Sequence, residues 1–199
     1  MDATDEALLE AWKTGDNEAG TALFRRYFPM CRRFFVNKVP EPDVDDLLQR
    51  TFTALVESRA AYRGDSQFRS FLLGVARNIL LKYLRTRSRR DAKHELDPQI
   101  TSLADLGITP RTKIALARDE EAIRVALQRI PVHFQTVIEL TYWEGLNSTE
   151  LAAVLDVEPT TVRTRLHRAR KALLKALEGT SLAKDRELEQ AVEKLGRTL

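Results

Sequence analysis

The sequence predicts an all-α chain, two small helical domains joined by a flexible linker. Apolar residues recur at three- and four-residue spacing over most of the length, as in helices with one buried face. Only 8 Gly and 7 Pro interrupt 199 residues, and β-branched residues rarely cluster. The periodicity lapses between about 87 and 118, where Asp97-Pro98, Gly107 and Thr109-Pro110 fall among charges of both signs. That composition makes a linker rather than a third domain. The length suits one medium domain or two small ones. The expected division is 5–87, a linker over 88–118, 119–178 and a tail over 179–199.

The first domain reads as four helices. Leu8, Leu9 and Trp12 share a face of the first, which ends at Gly15, Asp16 and Asn17. Leu23, Tyr27 and Met30 stripe the second. Val39-Pro40-Glu41-Pro42 separates it from the third, since proline lacks a donor and restricts its predecessor. Asp43 is the expected N-cap, with Asp45 and Asp46 in the dipole-favoured first turn and Leu47, Leu48, Phe52 and Leu55 inward. Residues 62–66 read as a turn with Ser66 capping a fourth helix over about 67–87, whose Phe68, Phe71, Leu72, Val75, Ile79 and Tyr83 point inward.

In the second domain Ile123, Leu127 and Ile130 mark a helix that Pro131 ends. Phe134, Val137, Ile138 and Leu140 begin the next, which closes near Gly145; helices over 148–155 and 159 to about 177 follow. The tail carries a stripe at Leu188, Val192 and Leu195, and reads either as a regulatory helix or as a solvated end.

Composition removes several function classes. The formal charge of +3 and pI of 9.1 are too modest to define an anionic partner, so the placement of charge must decide. No apolar run reaches the roughly 18 residues of a membrane span, and no membrane insertion is expected. The acidic start lacks a signal peptide's basic and apolar regions, so a cytoplasmic setting is expected. Cys31 alone can form neither an internal disulfide nor a multi-cysteine metal site; beside Arg32, Arg33, Phe34 and Phe35 it reads as a packed thiol. His94 follows Asp91 by three residues, but a di-iron bundle needs a second such motif, and His133 at a helix start reads as structural or exposed. With no phosphate-cradling glycine loop and no nucleophile elbow, the chain is not expected to be an enzyme or to need a cofactor or metal.

The most informative segment is 147–170. Asn147 and Glu150 resemble a capping box, although Ser or Thr is its usual first member. Ala152 is small where a second helix must cross, Asp156 tolerates a left-handed turn and Pro159 suits a first helical position. On the helix that follows, Val162, Leu166, Ala169 and Leu173 face inward. Thr160, Thr161, Arg163, Thr164, His167 and Arg168 face outward, and Arg170, Lys171 and Lys175 extend the basic side. Such a helix suits the major groove: hydroxyls and backbone N–H groups hold phosphates, while Arg meets guanine edges in paired bonds. A solvated bundle helix is the plainer alternative. Charge alone leaves it open; the cap, turn, proline and two-faced pattern together weigh against it.

Two further clusters carry chemistry. The fourth helix ends with five cations in nine residues, Lys82, Arg85, Arg87, Arg89 and Arg90, near Tyr62, Phe68, Phe71 and Tyr83. Single-stranded nucleic acid is held by cations on its backbone and aromatic faces under its bases. Spacing assigns Phe68 and Phe71 to the core and leaves the cations for nucleic acid, or for the negative end of the helix. Asp43, Asp45 and Asp46 are explained by the helix dipole alone or, more sharply, as a protein-binding surface.

In this order the features resemble a bacterial sigma factor of the extracytoplasmic-function group, over roughly 8–177. The likeness rests on Lys13-Thr-Gly-Asp16 with Asn17-Glu-Ala19 and Leu23-Phe-Arg-Arg-Tyr27, then on the acidic segment 43–52. The segment from Tyr62-Arg-Gly-Asp-Ser66 through Phe68-Arg-Ser-Phe71 to Ala76-Arg-Asn78 is a third motif. The fourth runs from Leu127-Gln-Arg-Ile-Pro131 through Tyr142-Trp-Glu-Gly-Leu146 to the helix over 159–177. Four motifs in register are specific where one is not.

The resemblance implies a promoter-directing subunit that binds core RNA polymerase, recognises −35 and −10 elements and promotes melting of promoter DNA. The first domain would be sigma region 2 and the second region 4. Asp45, Asp46, Leu47 and Gln49 would dock on the clamp helices of the largest polymerase subunit, and region 4 would meet the flap region. Tyr62, Ser66 and Asn78, with Lys82 and Arg85, would take the −10 non-template strand, including a flipped base. Thr141, Thr160, Thr161, Arg163, Thr164, His167 and Arg168 would serve the −35 duplex, and an anti-sigma factor is a further partner the family allows. Phe71 stands for a usual Trp, Arg50 for a common acid and Gln135 for a frequent Arg. Two other classes fit parts of the pattern: a dimeric operator-binding regulator, which needs a seam or effector pocket in 1–85, and an adaptor whose helices bind only protein.

Overall fold

Local caps and turns divide the chain into nine helices among the described residues, which in the computed structural model are 3–59, 62, 67–90, 97, 100–109, 115–180, 182 and 185–199. They are α1 (Asp5–Lys13), α2 (Asn17–Val36), α3 (Glu41–Ser58), α4 (Phe68–Arg90), α5 (Arg118–Arg129), α6 (Val132–Tyr142), α7 (Ser148–Leu155), α8 (Pro159–Ala176) and α9 (Asp185–Thr198). No strand occurs among the described residues; Ser102 and Pro131 form an isolated antiparallel bridge. Ser66, Asp91 and His94 lie outside the described residues.

The boundaries have chemical causes. Thr4 caps α1 by accepting the Ala7 N–H at 3.3 Å, and Asp16 caps α2 by accepting those of Glu18 and Ala19 at 2.8 and 3.1 Å. The third helix begins earlier than expected, with Pro40 rather than Asp43 at its N-cap. The proline at 42 has its φ preset for a first turn, so the helix starts without a side-chain cap. Freed from capping, the Asp43 carboxylate accepts the Tyr83 hydroxyl at 2.6 Å and faces Arg87 at 3.6 Å. At α7 the capping box is complete: Asn147 accepts the Thr149 and Glu150 N–H groups, and Glu150 accepts that of Asn147 at 2.9 Å. Asp156 takes φ 55°, the left-handed cap, before Pro159 opens α8.

Helices α1 to α4 pack in sequence, α1 on α2, α2 on α3 and α3 on α4. Trp12 lies against Gly20, where a Cβ would come within 2.5 Å of the indole nitrogen; glycine is what lets α1 approach α2. Helix α4 is buried on more than the one expected stripe. Leu73, Ala76, Leu80 and Leu84 join Phe68 and Leu72 inside, because α7 packs on the side that α3 leaves open. A second core gathers Ile123, Leu127, Ile138, Leu173, Val192 and Leu195 from α5, α6, α8 and α9.

The two groups of helices share a seam. Val132, Val137, Leu151, Val154 and Val162 belong to the same apolar cluster as the α1–α4 core. Across it, fully buried Lys38 pairs with buried Glu139, whose Oε1 accepts Asn37 at 3.0 Å and Gln135 at 2.8 Å. Asn37 Oδ1 accepts Gln128 at 3.0 Å. Arg33 forks onto Glu144 at 2.7 and 2.9 Å, and Arg69 pairs with Glu150.

Between residues 100 and 109 the chain departs from the flexible linker expected over 88–118. Leu103, Leu106 and Ile108 are buried in the shared core. Val132 N–H donates to Thr101 O at 3.0 Å, Ala104 N–H to Gln128 O at 3.0 Å, and Ser102 Oγ to Asp105 at 2.7 Å. Three apolar residues among turns are too few to register as a period, yet they suffice to anchor a short segment.

Candidate nucleic-acid interface

The helix-turn-helix places a basic stripe on the outside of α8. Val162, Ala169 and Leu173 are buried, which fixes the helix's rotation about its axis. Thr160, Thr161, Arg163, Thr164, His167 and Arg168 are all exposed, as spacing predicted. Thr164 Oγ1 donates to Thr160 O at 3.3 Å, while the arginines project from a helix that Pro159 opens without a side-chain cap. Thr141 differs. It is half-buried, and its hydroxyl donates to Val137 O at 2.8 Å, so it faces its own helix rather than the α8 stripe.

A second stripe runs along α4. Asn78, Lys82 and Arg85 follow i, i+4, i+7 spacing and all three are exposed. Tyr62 is half-buried, its ring 4.9 Å from that of Phe71 and 6.0 Å edge-on to Phe68, with Lys13 Nζ 5.7 Å over its face. Its ring thus rests against Phe68 and Phe71 in the first turn of α4. Arg77 lies half-buried toward α7 and α8; burial and nearby Arg165 push its guanidinium pKa down, with Asp156 opposing.

On α3, Asp45, Asp46 and Gln49 are exposed, with Asp46 3.4 Å from Arg50. Leu47 corrects the expectation of a docking role: it is fully buried among Val44, Leu48 and Leu55, on the face that spacing had already turned inward. Between α3 and the end of α4 lies a cleft of about 490 Å³ in which Asp43 and Asp46 face Arg50, Lys82 and Arg87. Tyr83 on its wall is raised to about 12, by burial first and then by its bond to Asp43. Cys31 is buried, and burial followed by the charge of Glu144 raises its thiol to about 12, which fits a packed thiol. Among the described residues no three His, Cys, Asp or Glu side chains gather to hold a metal, and no helix is long and apolar enough to cross a membrane.

The polar seam lies outside what helical spacing indicates. One signal was available. Glu139 stands between Ile138 and Leu140 in an apolar run, and an acid on a buried face needs a partner. Glu150 serves twice, as capping-box acid and as Arg69's partner; burial pushes its pKa up, but Arg69 and the Asn147 N–H together hold it below the usual range.

Fold and stripes together define an all-helical DNA-reading protein with a helix-turn-helix in its second half. The family model of sigma-70 region 2 matches residues 23–90, and that of sigma-70 region 4 matches residues 120–173, together well over half the chain. The chain belongs to the sigma-70 family, within its extracytoplasmic-function (ECF) group. It is 28% identical over 176 residues to the ECF RNA polymerase sigma-E factor of Haemophilus influenzae, covering 85% of this chain and 93% of that one. The Escherichia coli K12 sigma-E factor matches at 28%, over 85% of this chain and 92% of its own length. The structure of CnrH in complex with the cytosolic domain of CnrY superposes with a TM-score of 0.64 at 25% identity, covering 89% of this chain and 99% of CnrH. The sigma factor RpoE of Bartonella quintana, solved with the anti-sigma factor NepR, shares the fold with a TM-score of 0.61 at 20% identity, over 80% of this chain and 96% of its own.

Proposed function

We propose that this sigma factor binds core RNA polymerase, directs it to promoters through −35 and −10 elements, and favours strand opening without a catalytic step of its own. The observation that carries this reading is the presence of two separate exposed stripes, Arg163 to Arg168 on α8 and Asn78 to Arg85 on α4. The first lies on a capped helix-turn-helix suited to duplex; the second is a basic row suited to a single strand. Residues 5–87 act as region 2 and 119–178 as region 4, with 88–118 connecting them. Asp45, Asp46 and Gln49 dock on the clamp helices of the largest polymerase subunit, where charge complementarity speeds encounter. Tyr62, Ser66 and Asn78, with Lys82 and Arg85, capture the opened −10 strand, and holding an extruded base favours the melted state. The protein acts in the cytoplasm, region 4 meets the flap, and an anti-sigma factor regulates it as NepR accompanies the RpoE relative.

The closed seam has a geometric consequence. Elements named for positions −35 and −10 lie about 25 base pairs apart, roughly 85 Å at 3.4 Å per pair. A compact chain of this length has a radius of gyration of about 16 Å and spans roughly half that separation. The seam therefore opens when both stripes engage one promoter.

Run-off transcription from a promoter library with core polymerase tests the reading; no product above core alone would refute it. In the same assay Asp46→Arg is expected to weaken core association by about 1 kcal/mol or less, the scale of a rim charge, mainly through a slower on-rate. Asn78→Ala is expected to leave core binding intact and slow promoter opening, read by permanganate reactivity of unpaired thymines.

A further inference from the structure

The second unit has three faces. The outside of α8 carries the DNA-reading residues, and α6 with α7 faces the first unit. The third is an apolar trough between α5, α6 and the C-terminal half of α8, and α9 fills it. Leu188, Val192 and Leu195 enter the trough at helical spacing and are buried. Around them Trp143 Nε1 donates to Val192 O at 2.9 Å, Tyr142 Oη donates to Glu189 at 3.2 Å, and Arg170 of α8 pairs with Glu189. Lys194 lies 3.4 Å from Glu120, which also accepts the Thr198 hydroxyl at 3.2 Å. Gly196 rests on the Trp143 ring so closely that a Cβ would lie 2.2 Å from it.

The region 4 match ends at residue 173, before α9 begins. A helix of 14 residues is marginal alone, and its half-exposed ion pairs add little, so its docking rests on a few apolar anchors. Nor does it mask DNA: Arg163, Thr164, His167 and Arg168 stay exposed beneath no cover. What it hides is apolar, and an apolar trough already holding an amphipathic helix is fitted to a protein helix.

Resting on the function proposed above, we propose that α9 is a displaceable cover, built into this chain, over a helix-docking trough on the DNA-reading unit. Core polymerase competes for that trough with an amphipathic helix of its own, apolar at i, i+4 and i+7 and acidic where it meets Arg170. Binding then draws only on molecules whose α9 has left, so the apparent affinity is scaled by that fraction.

The test pins and frees α9 in the full chain. Glu120→Cys with Lys194→Cys, bridged by a short bis-maleimide, holds α9 down; buried Cys31 stays unlabelled. Gly196→Val pushes α9 off Trp143, which acrylamide quenching reports, since Trp12 is only 3% exposed and stays shielded. Core-polymerase affinity and run-off yield at limiting protein are then compared. If α9 is released in one molecule in ten, Gly196→Val gains about tenfold in affinity and the bridged chain loses at least as much relative to the same chain unbridged. Equal core affinity of bridged and unbridged chains overturns the cover, as does a Gly196→Val chain with accessible Trp143 and unchanged affinity. Both outcomes leave the sigma-factor reading standing; failure of the unmodified chain to bind core would instead remove that reading and the cover with it.

Discussion

Glu139→Gln is expected to destabilise the closed chain by about 3–5 kcal/mol, the scale of breaking a buried ion pair by removing one partner. Lys38 is fully buried, with Nζ 2.8 Å from Phe34 O and 4.2 Å over the Phe34 ring, and Glu139 is its counter-charge. Burial pushes the Lys38 pKa down, with Glu139 the opposing influence. Glutamine keeps an acceptor for Asn37 and Gln135 but leaves the ammonium uncompensated. Because the pair lies across the seam, the chain can escape the penalty by opening and returning Lys38 to water. A lower denaturant midpoint and a radius of gyration above the roughly 16 Å of a compact chain of this length are both expected. Lys38→Met combined with Glu139→Gln removes the charge and keeps the amide acceptor, and should recover most of the loss and the compact radius. Equal destabilisation of the single and double variants would show that the pair's charge is not what closes the seam.

Arg163→Ala is expected to weaken −35 duplex recognition by about 1–3 kcal/mol, roughly five- to 150-fold, and to relax preference at one base pair. Arg163 is exposed in the first turns of α8, next to the Pro159 start, where a groove-reading helix makes its base contacts. Lys171→Ala, further along the exposed side, should instead weaken all sequences alike and lower the salt slope by about one ion, as a phosphate contact does. Competition binding of the holoenzyme to duplexes varied through the −35 element separates the two. A solvated bundle helix predicts no change for either variant.

What was legible in the sequence was local. Caps at Asp16 and Asn147, the left-handed Asp156, the Pro159 start and the outward side of α8 each depend on residues within one or two turns. Leu47 shows the strength of that signal: helical spacing turned it inward, family likeness turned it outward, and it is buried. What stayed hidden was non-local. The second buried side of α4 exists only because α7 lies on it, and the Lys38–Glu139 pair joins residues 101 positions apart. The anchoring of Leu103, Leu106 and Ile108 depends on a core assembled from both units. The tail's stripe at Leu188, Val192 and Leu195 was visible, but its partner surface on α5 and α6 was not, because that surface is assembled from separate helices.

One chain is expected to hold two separated stretches of promoter DNA, duplex with α8 and opened strand with α4, once core polymerase is present. An iron chelate tethered to Thr164→Cys on α8, or to Lys82→Cys on α4, cuts the DNA that each helix faces, and both positions are exposed. In the promoter complex the first probe should cut both strands of upstream duplex. The second should cut one strand about 25 base pairs downstream, only with core polymerase, at non-overlapping positions. Coincident cutting by the two probes, or the same pattern with and without polymerase, would contradict the account.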